Sequence, residues 1–564
     1  MNTSFNDWFR SGAPWVWLTG GAVAINVIMV AGLLILIAWR GLGHFWPADI
    51  LQAHYQVPNS EAVRVIGEVA DTERVPAEQL RQAGVPVPEG TETMARHLLK
   101  VGNRDVTGLD FQWALKDNLE EVQYPERLFA AERREWGNFY GYLRGLKQDG
   151  EEVARFDPAT DDDADYEQLW NDFLQRVERA LSIHEQIKTI EKGDIGAINY
   201  ELERLRLKER RHELDGDLTP QVQADIQSQR DELNRRYEGL QGELTELYRA
   251  FNRDHYLAEV ANGREMEIAV SHVVRAYRPN AMGMVDKAGH YLSKLWEFLS
   301  DEPREANTEG GVFPAIFGTV MMVLLMSIMV TPFGVIAAVY LREYARQGPL
   351  TRLIRIAVNN LAGVPSIVYG VFGLGFFIYF LGGTIDPLFF PEALPSPTFG
   401  TPGLMWASLT LALLTVPVVI VATEEGLARI PRAVREGSLA LGATKAETLW
   451  KVVLPMASPA MMTGVILAVA RAAGEVAPLM LVGVVKLAPS LPLDTNYPYI
   501  HLDQKFMHLG FHIYDVGFQS PNVEAARPLV YATALLLVVV IALLNLTAVA
   551  IRNRLREKYK ALEH

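Results

Sequence analysis

The chain has 564 residues, no cysteine and a formal net charge of −14. Thiolate catalysis, disulfides and cysteine metal sites are excluded, and the acidic balance argues against a polybasic nucleic-acid binder. Two compositions lie beneath the mean: residues 41–310 carry 52 acidic and 33 basic side chains, the remainder only 15 and 20. The acidity therefore belongs to one internal region, and the rest of the chain is slightly basic.

The first apolar run, Trp15–Trp39, is long enough to cross a bilayer. Its core exceeds that of a signal peptide and no small-x-small cleavage pattern precedes Arg40. Residues 1–40 are expected to form a cytoplasmic N-terminus and a retained transmembrane helix.

Residues 41–311 read as a soluble insert. The stretches RVIGEV, HLLKVG and GLDFQWAL suggest strands in a small α+β module. From about residue 165 to 255 the pattern changes to spacings of three and four. Tyr166, Trp170, Phe173, Val177 and Ala180 line up, and so do Leu233, Tyr237, Leu240, Leu244, Leu247 and Phe251. That spacing predicts a coiled-coil seam, with Gly216 and Pro220 turning one helix back on the other. An antiparallel hairpin protruding from the membrane is expected, serving as a spacer, a docking surface for a soluble partner or a contact with the cell envelope. The acidic run DDDAD at Asp161–Asp165 lacks the glycine and terminal glutamate of an EF-hand. A solvated acidic run is the expectation there.

Five more apolar runs follow: Val312–Leu341, Ile356–Leu381, Pro402–Thr423, Ala457–Val484 and Pro528–Ile551. Arg342, Arg346, Arg352 and Arg355 follow the second run, and Arg429, Arg432, Arg435, Lys445 and Lys451 follow the fourth. The tail RNRLREKYK is basic as well, whereas loops after the third and fifth runs are nearly free of lysine and arginine. The positive-inside rule then puts both termini in the cytoplasm and the insert outside. The expected organisation is a permease core at 312–551 and a basic cytoplasmic tail at 552–564.

Within the fifth run, Arg471 and Glu475 interrupt apolar sequence. A charge at the centre of a span costs about 2.5–3.5 kcal/mol on insertion scales. Four residues apart on a helix, the two share a face and can pair. Either they form a buried salt bridge that fixes packing, or Arg471 faces a translocation path with Glu475 holding it. A guanidinium fork matches the oxygens of an oxyanion, and a partly compensated arginine avoids trapping it. In the third run, Gly363, Pro365 and Gly370 are expected to shape the helix, with Ser366 and Tyr369 lending hydroxyls to the path. Glu424 and Glu425 end the fourth run, in solvated or cap-like roles rather than as a gate.

The loop at about 425–455 contains REGSLALGATKAETLWKVVLP. Glu436 precedes the small residues Gly437, Ser438 and Ala440. Gly442 permits a bend between two short helices, and Leu454-Pro455 suits the start of the next span. Small side chains let another protein approach closely. The chain itself has no G-x-x-x-x-G-K-[ST], indeed no Gly-Lys pair, so a motor would be a separate subunit.

This stretch resembles the EAA coupling loop of ABC importer permeases, with Gly437 and Ser438 in place of the two alanines. AGVPSIVYG from Ala362 and RAAGEVAP from Arg471 resemble the membrane subunits of the bacterial phosphate (Pst) importers. The resemblance covers the last five spans well and the insert not at all. It implies an all-α, six-span type I importer permease of MetI-like fold, carrying an external α+β and coiled-coil insert. It further implies import of inorganic phosphate across the inner membrane, coupled through Glu436, Gly437, Ser438, Ala440, Gly442, Leu454 and Pro455 to an ATPase. The implied partners are a PstC-like paralogous permease, two PstB-like ATPase subunits that bind ATP and Mg, a PstS-like periplasmic phosphate-binding protein and a PhoU-like regulator. No cofactor is expected in this chain. Two alternatives stay open: another oxyanion such as sulfate or molybdate as cargo, or an envelope sensor, which would have no need of an ATPase dock.

Overall fold

The structure, a computed structural model, describes residues 11–56, 62–82, 85, 87–88, 90–304, 307–520 and 523–560. The first ten residues of the expected N-terminal segment and the last four of the tail lie outside the described residues. Among the described residues, six helical stretches are long and apolar enough to cross a membrane. Helix α1 (Ala13–Gly43) is the first, and after it the chain builds the insert.

Eleven strands of the insert form two antiparallel sheets, the β part of the expected α+β insert. The five-stranded sheet runs in the order β4 (Phe111–Leu115), β3 (Thr93–Lys100), β2 (Val63–Pro76), β1 (Ile50–Tyr55), β5 (Leu119–Gln123). The other contains β6 (Leu128–Arg133), β7 (Phe139–Gln148), β8 (Glu151–Arg155), β9 (Asp254–Glu259), β10 (Glu265–Ala269) and β11 (Val273–Tyr277). Side chains alternate across a strand, and β6 uses both faces. Leu128 and Ala130 pack with Ile50 and Ile66 of the first sheet, while Phe129 and Ala131 pack with Phe139, Trp170 and Phe173. The six-stranded sheet is thus a middle layer, with a helix covering its far side.

That helix is α2 (Asp163–Lys188), followed through a short π-helical stretch by α3 (Gly196–Asp215) and, after a turn at 216–219, by the antiparallel α4 (Pro220–Phe251). The hairpin and its turn stand where the sequence puts them. The seam is divided, however. Tyr166, Trp170, Phe173, Val177 and Ala180 are buried against the sheet, and helix-on-helix packing begins only at Ile183 and Ile187, which meet Leu244. A stripe at spacings of three and four fixes which face is buried, not what buries it. In DDDAD, Asp162 caps α2 by accepting from the amides of Ala164 and Asp165.

The hairpin does not protrude freely. Arg211 of α3 pairs with Glu392, and the Tyr200 hydroxyl donates to the Tyr497 carbonyl, so α3 lies across loops that follow the third and fifth spans. The insert and those two loops share one side of the molecule.

Helix α5 (Met284–Ser300) leads from the insert into the second span, α6 (Phe313–Val339). The third expected span begins later than its apolar run. Pro349–Leu361 forms a separate amphipathic helix, α7, and Pro365 starts a second helix, α8 (Ser366–Phe372), which continues through a π-helical stretch, Gly373–Gly382, and a last α-helical turn to Phe389. Residues before a proline avoid helical angles, so Val364-Pro365 breaks what hydropathy reads as continuous. The fourth span, α9 (Leu404–Arg429), is the most enclosed of the six and packs on α6 and on the fifth span. Past a loop described below come α10 (Arg432–Ala440), α11 (Lys445–Thr448), α12 (Leu454–Gly474), α13 (Leu479–Val482), α14 (Leu509–Tyr514) and α15 (Val523–Lys560). Gly426 of α9 meets Ala460 of α12 and Gly464 meets Ala422, a small-residue contact that lets two apolar helices approach closely. The last span, α15, packs on α12 and on α1 and carries the basic tail within the same helix.

Candidate functional site

The expected fifth span is broken where its charges lie. Helix α12 stops at Gly474, and Glu475 turns to extended backbone with φ −83° and ψ 130°. Pro478 is the reason: it offers no N–H and its ring would collide with the Gly474 carbonyl of a continuing helix. Arg471 and Glu475 therefore do not share one regular helix. Arg471 occupies the last turn of α12, where a cation suits the negative end of the helix dipole, and Glu475 caps it. Their Nε and Oε1 atoms stand 3.7 Å apart, and the side chains are 33% and 23% exposed. That is an ion contact longer than a hydrogen bond, and among the described residues Arg471 makes no hydrogen bond. Its fork of donors is held near an acid without being consumed by it.

The motif from the third span comes to the same place. Gly370 of α8 faces Pro478 so closely that a Cβ would stand 2.7 Å from the Pro478 Cα, so only glycine lets α8 rest on the bend. Tyr369 lies within electrostatic reach of Arg471. It is buried, and its hydroxyl donates to the Leu361 carbonyl at 2.6 Å. This bond closes the gap between α7 and α8, so the Tyr369 proton serves the backbone rather than an open path. Ser366 opens α8 and is half-buried. Irregular backbone among spans occurs where it is enclosed by protein or lines a cavity, and here Gly370 of α8 packs on the bend beside the Arg471–Glu475 contact.

The second cluster lies in the loop between α9 and α12. Helices α10 and α11 are joined by a turn in which Gly442 takes φ +91°, a left-handed angle costly for residues with a Cβ. The hydroxyls of Ser438 and Thr448 meet at 2.9 Å across the turn, and Thr444 caps α11 in a capping box with Glu447. The tip exposes Glu436, Gly437 and Ala440, with open space around Gly437 and Gly442. Beside them Leu441 is 91% and Trp450 69% exposed. Leu454 behaves differently from the expectation. It is buried with Leu427, Ile430, Leu449 and Val453, so it anchors the loop and offers no surface for docking. Pro455 stands in the first turn of α12, inside a helix that is continuous from Lys445 to Gly474.

The loop is fastened to the spans by charges that the sequence reading counted only as topology signals. Arg435 pairs with Glu343 at 2.9 Å and donates to the carbonyls of Leu427 and Ile430. Arg355 of α7 pairs with Glu424 of α9 at 3.2 Å and donates to the Leu341 carbonyl. Glu424 is therefore a tie between helices, not a solvated end, whereas Glu425 is exposed and makes only a 4.0 Å contact with Arg429. Leu441 and Trp450 were also missed. The available signal was two large apolar side chains within a polar loop.

Residues 330–557 match the family model described as binding-protein-dependent transport system inner membrane component, which starts within α6 and leaves the insert outside. The chain is 36% identical over 245 residues to phosphate transport system permease protein PstA 1 of Mycobacterium tuberculosis, covering 43% of this chain and 71% of that protein. It is 36% identical over 276 residues to phosphate transport system permease protein PstA of Mycobacterium leprae, covering 48% and 81%. A probable phosphate transport system permease protein PstA of Methanocaldococcus jannaschii is 31% identical over 189 residues, covering 33% and 60%. The fold is thus the MetI-like permease fold with an additional β-rich and hairpin insert. With six spans and these relatives, the chain is a multi-pass inner-membrane permease subunit that belongs to the binding-protein-dependent transport system inner membrane components and, among them, to the PstA permeases.

Proposed function

We propose that this chain forms one half of the path by which inorganic phosphate enters the cell, and that a partner subunit supplies the energy by hydrolysing ATP. The observation that carries the coupling is the bent α10–α11 loop, whose tip presents Gly437, Ala440 and Leu441 to solvent. The cargo is argued from the relatives named as phosphate permeases and from Arg471, whose donor fork suits an oxyanion. Glu475 lowers the net positive field, so phosphate would be held and then released.

In this reading the α10–α11 loop and both termini are cytoplasmic, because the basic loops lie there, and the insert is periplasmic. A PstC-like permease completes the path, two PstB-like ATPases dock on the two coupling loops, and a PstS-like protein delivers phosphate on the insert side. A PhoU-like regulator acts on the ATPase side. Closure of the ATPases on ATP draws the coupling loops together, and Arg435 and Glu343 pass that movement to the spans.

The test is uptake of labelled phosphate at micromolar concentration by phosphate-starved cells carrying native protein or Arg471→Gln at matched membrane levels. Loss of uptake in the variant, with indifference of native uptake to excess sulfate, is the expected result. Full uptake by the variant would reduce Arg471 to a packing ion pair. Competition by sulfate or molybdate would move the cargo to another oxyanion.

A further inference from the structure

Helix α5 is built inside out for a helix of a soluble domain. Three of its four charged residues turn toward protein: Lys287 pairs with Asp49 at 2.5 Å, Lys294 with Glu132 at 2.7 Å, and Glu297 is buried with Arg304 and Arg275, while the exposed Asp286 is spent in the first turn on the Gly283 amide. Its outer face is Val285, Ala288, Gly289, Leu292 and Trp296, all exposed and none charged. Val285 is 84%, Leu292 64% and Trp296 71% exposed. These positions follow the spacing of one helical stripe. A surface helix in water shows the opposite order, with charges outward and an apolar stripe inward.

The position of α5 says what covers that stripe. Phe298 packs on Phe45, just past the end of α1, with ring centroids 5.1 Å apart, and Tyr291 lies 6.1 Å from Trp46. Phe298 also packs with Val312 and Ala315, where α6 begins. The helix is therefore fastened to the ends of two membrane spans, at the level where the hydrocarbon gives way to headgroups. An amphipathic helix with tryptophan on its apolar face partitions into that boundary.

We propose that the outer face of α5 is seated in the lipid surface of the membrane, so that the bilayer itself is the partner that holds the insert at its base. The charged inner face joins β6 and β11 to α5, and the apolar outer face joins α5 to lipid. The insert is then supported by more than its two covalent connections. The inference does not depend on which solute the permease carries.

The native chain has no cysteine, so a single introduced thiol is uniquely addressable. Leu292→Cys, and separately Ala288→Cys, would be labelled with an environment-sensitive fluorophore in the full chain. The protein would be reconstituted in vesicles of phosphatidylethanolamine and phosphatidylglycerol. Gln241→Cys on exposed α4 is the control. Lipids carrying a nitroxide close to the headgroup are expected to quench both α5 probes at least about threefold more than the control, with an aqueous quencher showing the reverse order. Quenching of the α5 probes by the aqueous agent alone would overturn the proposal. Shielding from both quenchers would also overturn it, because the face would then be covered by protein.

Discussion

Arg435 in the α10–α11 loop and Glu343 at the foot of the second span pair at 2.9 Å, with side chains only 20% and 13% exposed. The same guanidinium holds the carbonyls of Leu427 and Ile430 at the end of the fourth span, so one residue of the loop grips two spans. Truncating one partner of such a pair leaves a charge half-buried and unpaired, a loss of about 2–5 kcal/mol. Arg435→Ala is expected to lower uptake tenfold or more while ATP hydrolysis by the assembled complex persists. Arg435→Lys keeps the charge but not the fork and should fall between. Normal uptake by Arg435→Ala at equal membrane levels would remove the tie from the coupling route.

Gly442 separates backbone shape from contact. Nothing lies within 4 Å of a Cβ placed there, yet φ is +91°, so Gly442→Val acts through the backbone alone, at a cost of about 1–2 kcal/mol. It should reshape the turn and reduce co-purification of the ATPase without lowering the amount of permease in the membrane. Gly437 has equally open space and an ordinary φ. Gly437→Ala is therefore expected to leave the fold unchanged, and Gly437→Trp to weaken ATPase binding alone. A Gly437→Trp protein that binds the ATPase normally would place the dock elsewhere on the loop.

Gly370 and Gly375 offer a matched pair within the third span. A Cβ on Gly370 meets the Pro478 backbone at 2.7 and 2.9 Å, whereas Gly375 has nothing within 4 Å. Gly370→Leu should push α8 off the bend, with an overpacking cost of about 1–3 kcal/mol. Gly375→Leu should be tolerated. Thermal unfolding in detergent is the measurement, and equal melting of the two variants would show that α8 does not bear on the bend.

The spans were legible because their signal is long and one-dimensional: apolar runs near the length of a bilayer, with arginine on one side. Interruptions were not. Hydropathy carried the third run through Val364-Pro365 and the fifth through Glu475–Pro478, since one proline and one glutamate barely alter an average over such a window. The bend between α10 and α11 was legible from Gly442, because local backbone demands are written in residue type. Arg435, Arg355 and Glu424 were not, because each acts through a partner distant in sequence, such as Glu343 lying 92 positions before Arg435. In the insert the hairpin was visible in its turn, but Tyr166–Ala180 could not reveal that a sheet rather than a helix would cover them.

The base of the insert should respond to acid in two steps. Burial, followed by weaker opposing charges, holds His290 at about 4, below its ordinary 6.5. Between those values the unfolded chain takes up a proton that the folded site refuses, so this contribution is full above pH 6.5 and lost as pH falls toward about 4. For Glu132 burial works to raise the value, but Lys294, Arg275 and Arg304 outweigh it and bring it from 4.5 to about 2. Its contribution is full above pH 4.5 and lost as pH falls toward about 2. Glu309, pushed up chiefly by burial, acts in the opposite sense above pH 4.5. Thermal unfolding of the full chain in detergent should therefore shift downward from neutral pH to about pH 5, and again toward about pH 3. His290→Asn should shrink the first step without abolishing it, because burial likewise holds His44 at about 4. Glu132→Gln should be less stable than native near neutrality, with the difference closing in acid, because native Glu132 is then being protonated as well. A Glu132→Gln protein as stable as native at neutral pH would mean that Lys294, Arg275 and Arg304 are satisfied without it, and that the carboxylate does not organise this junction.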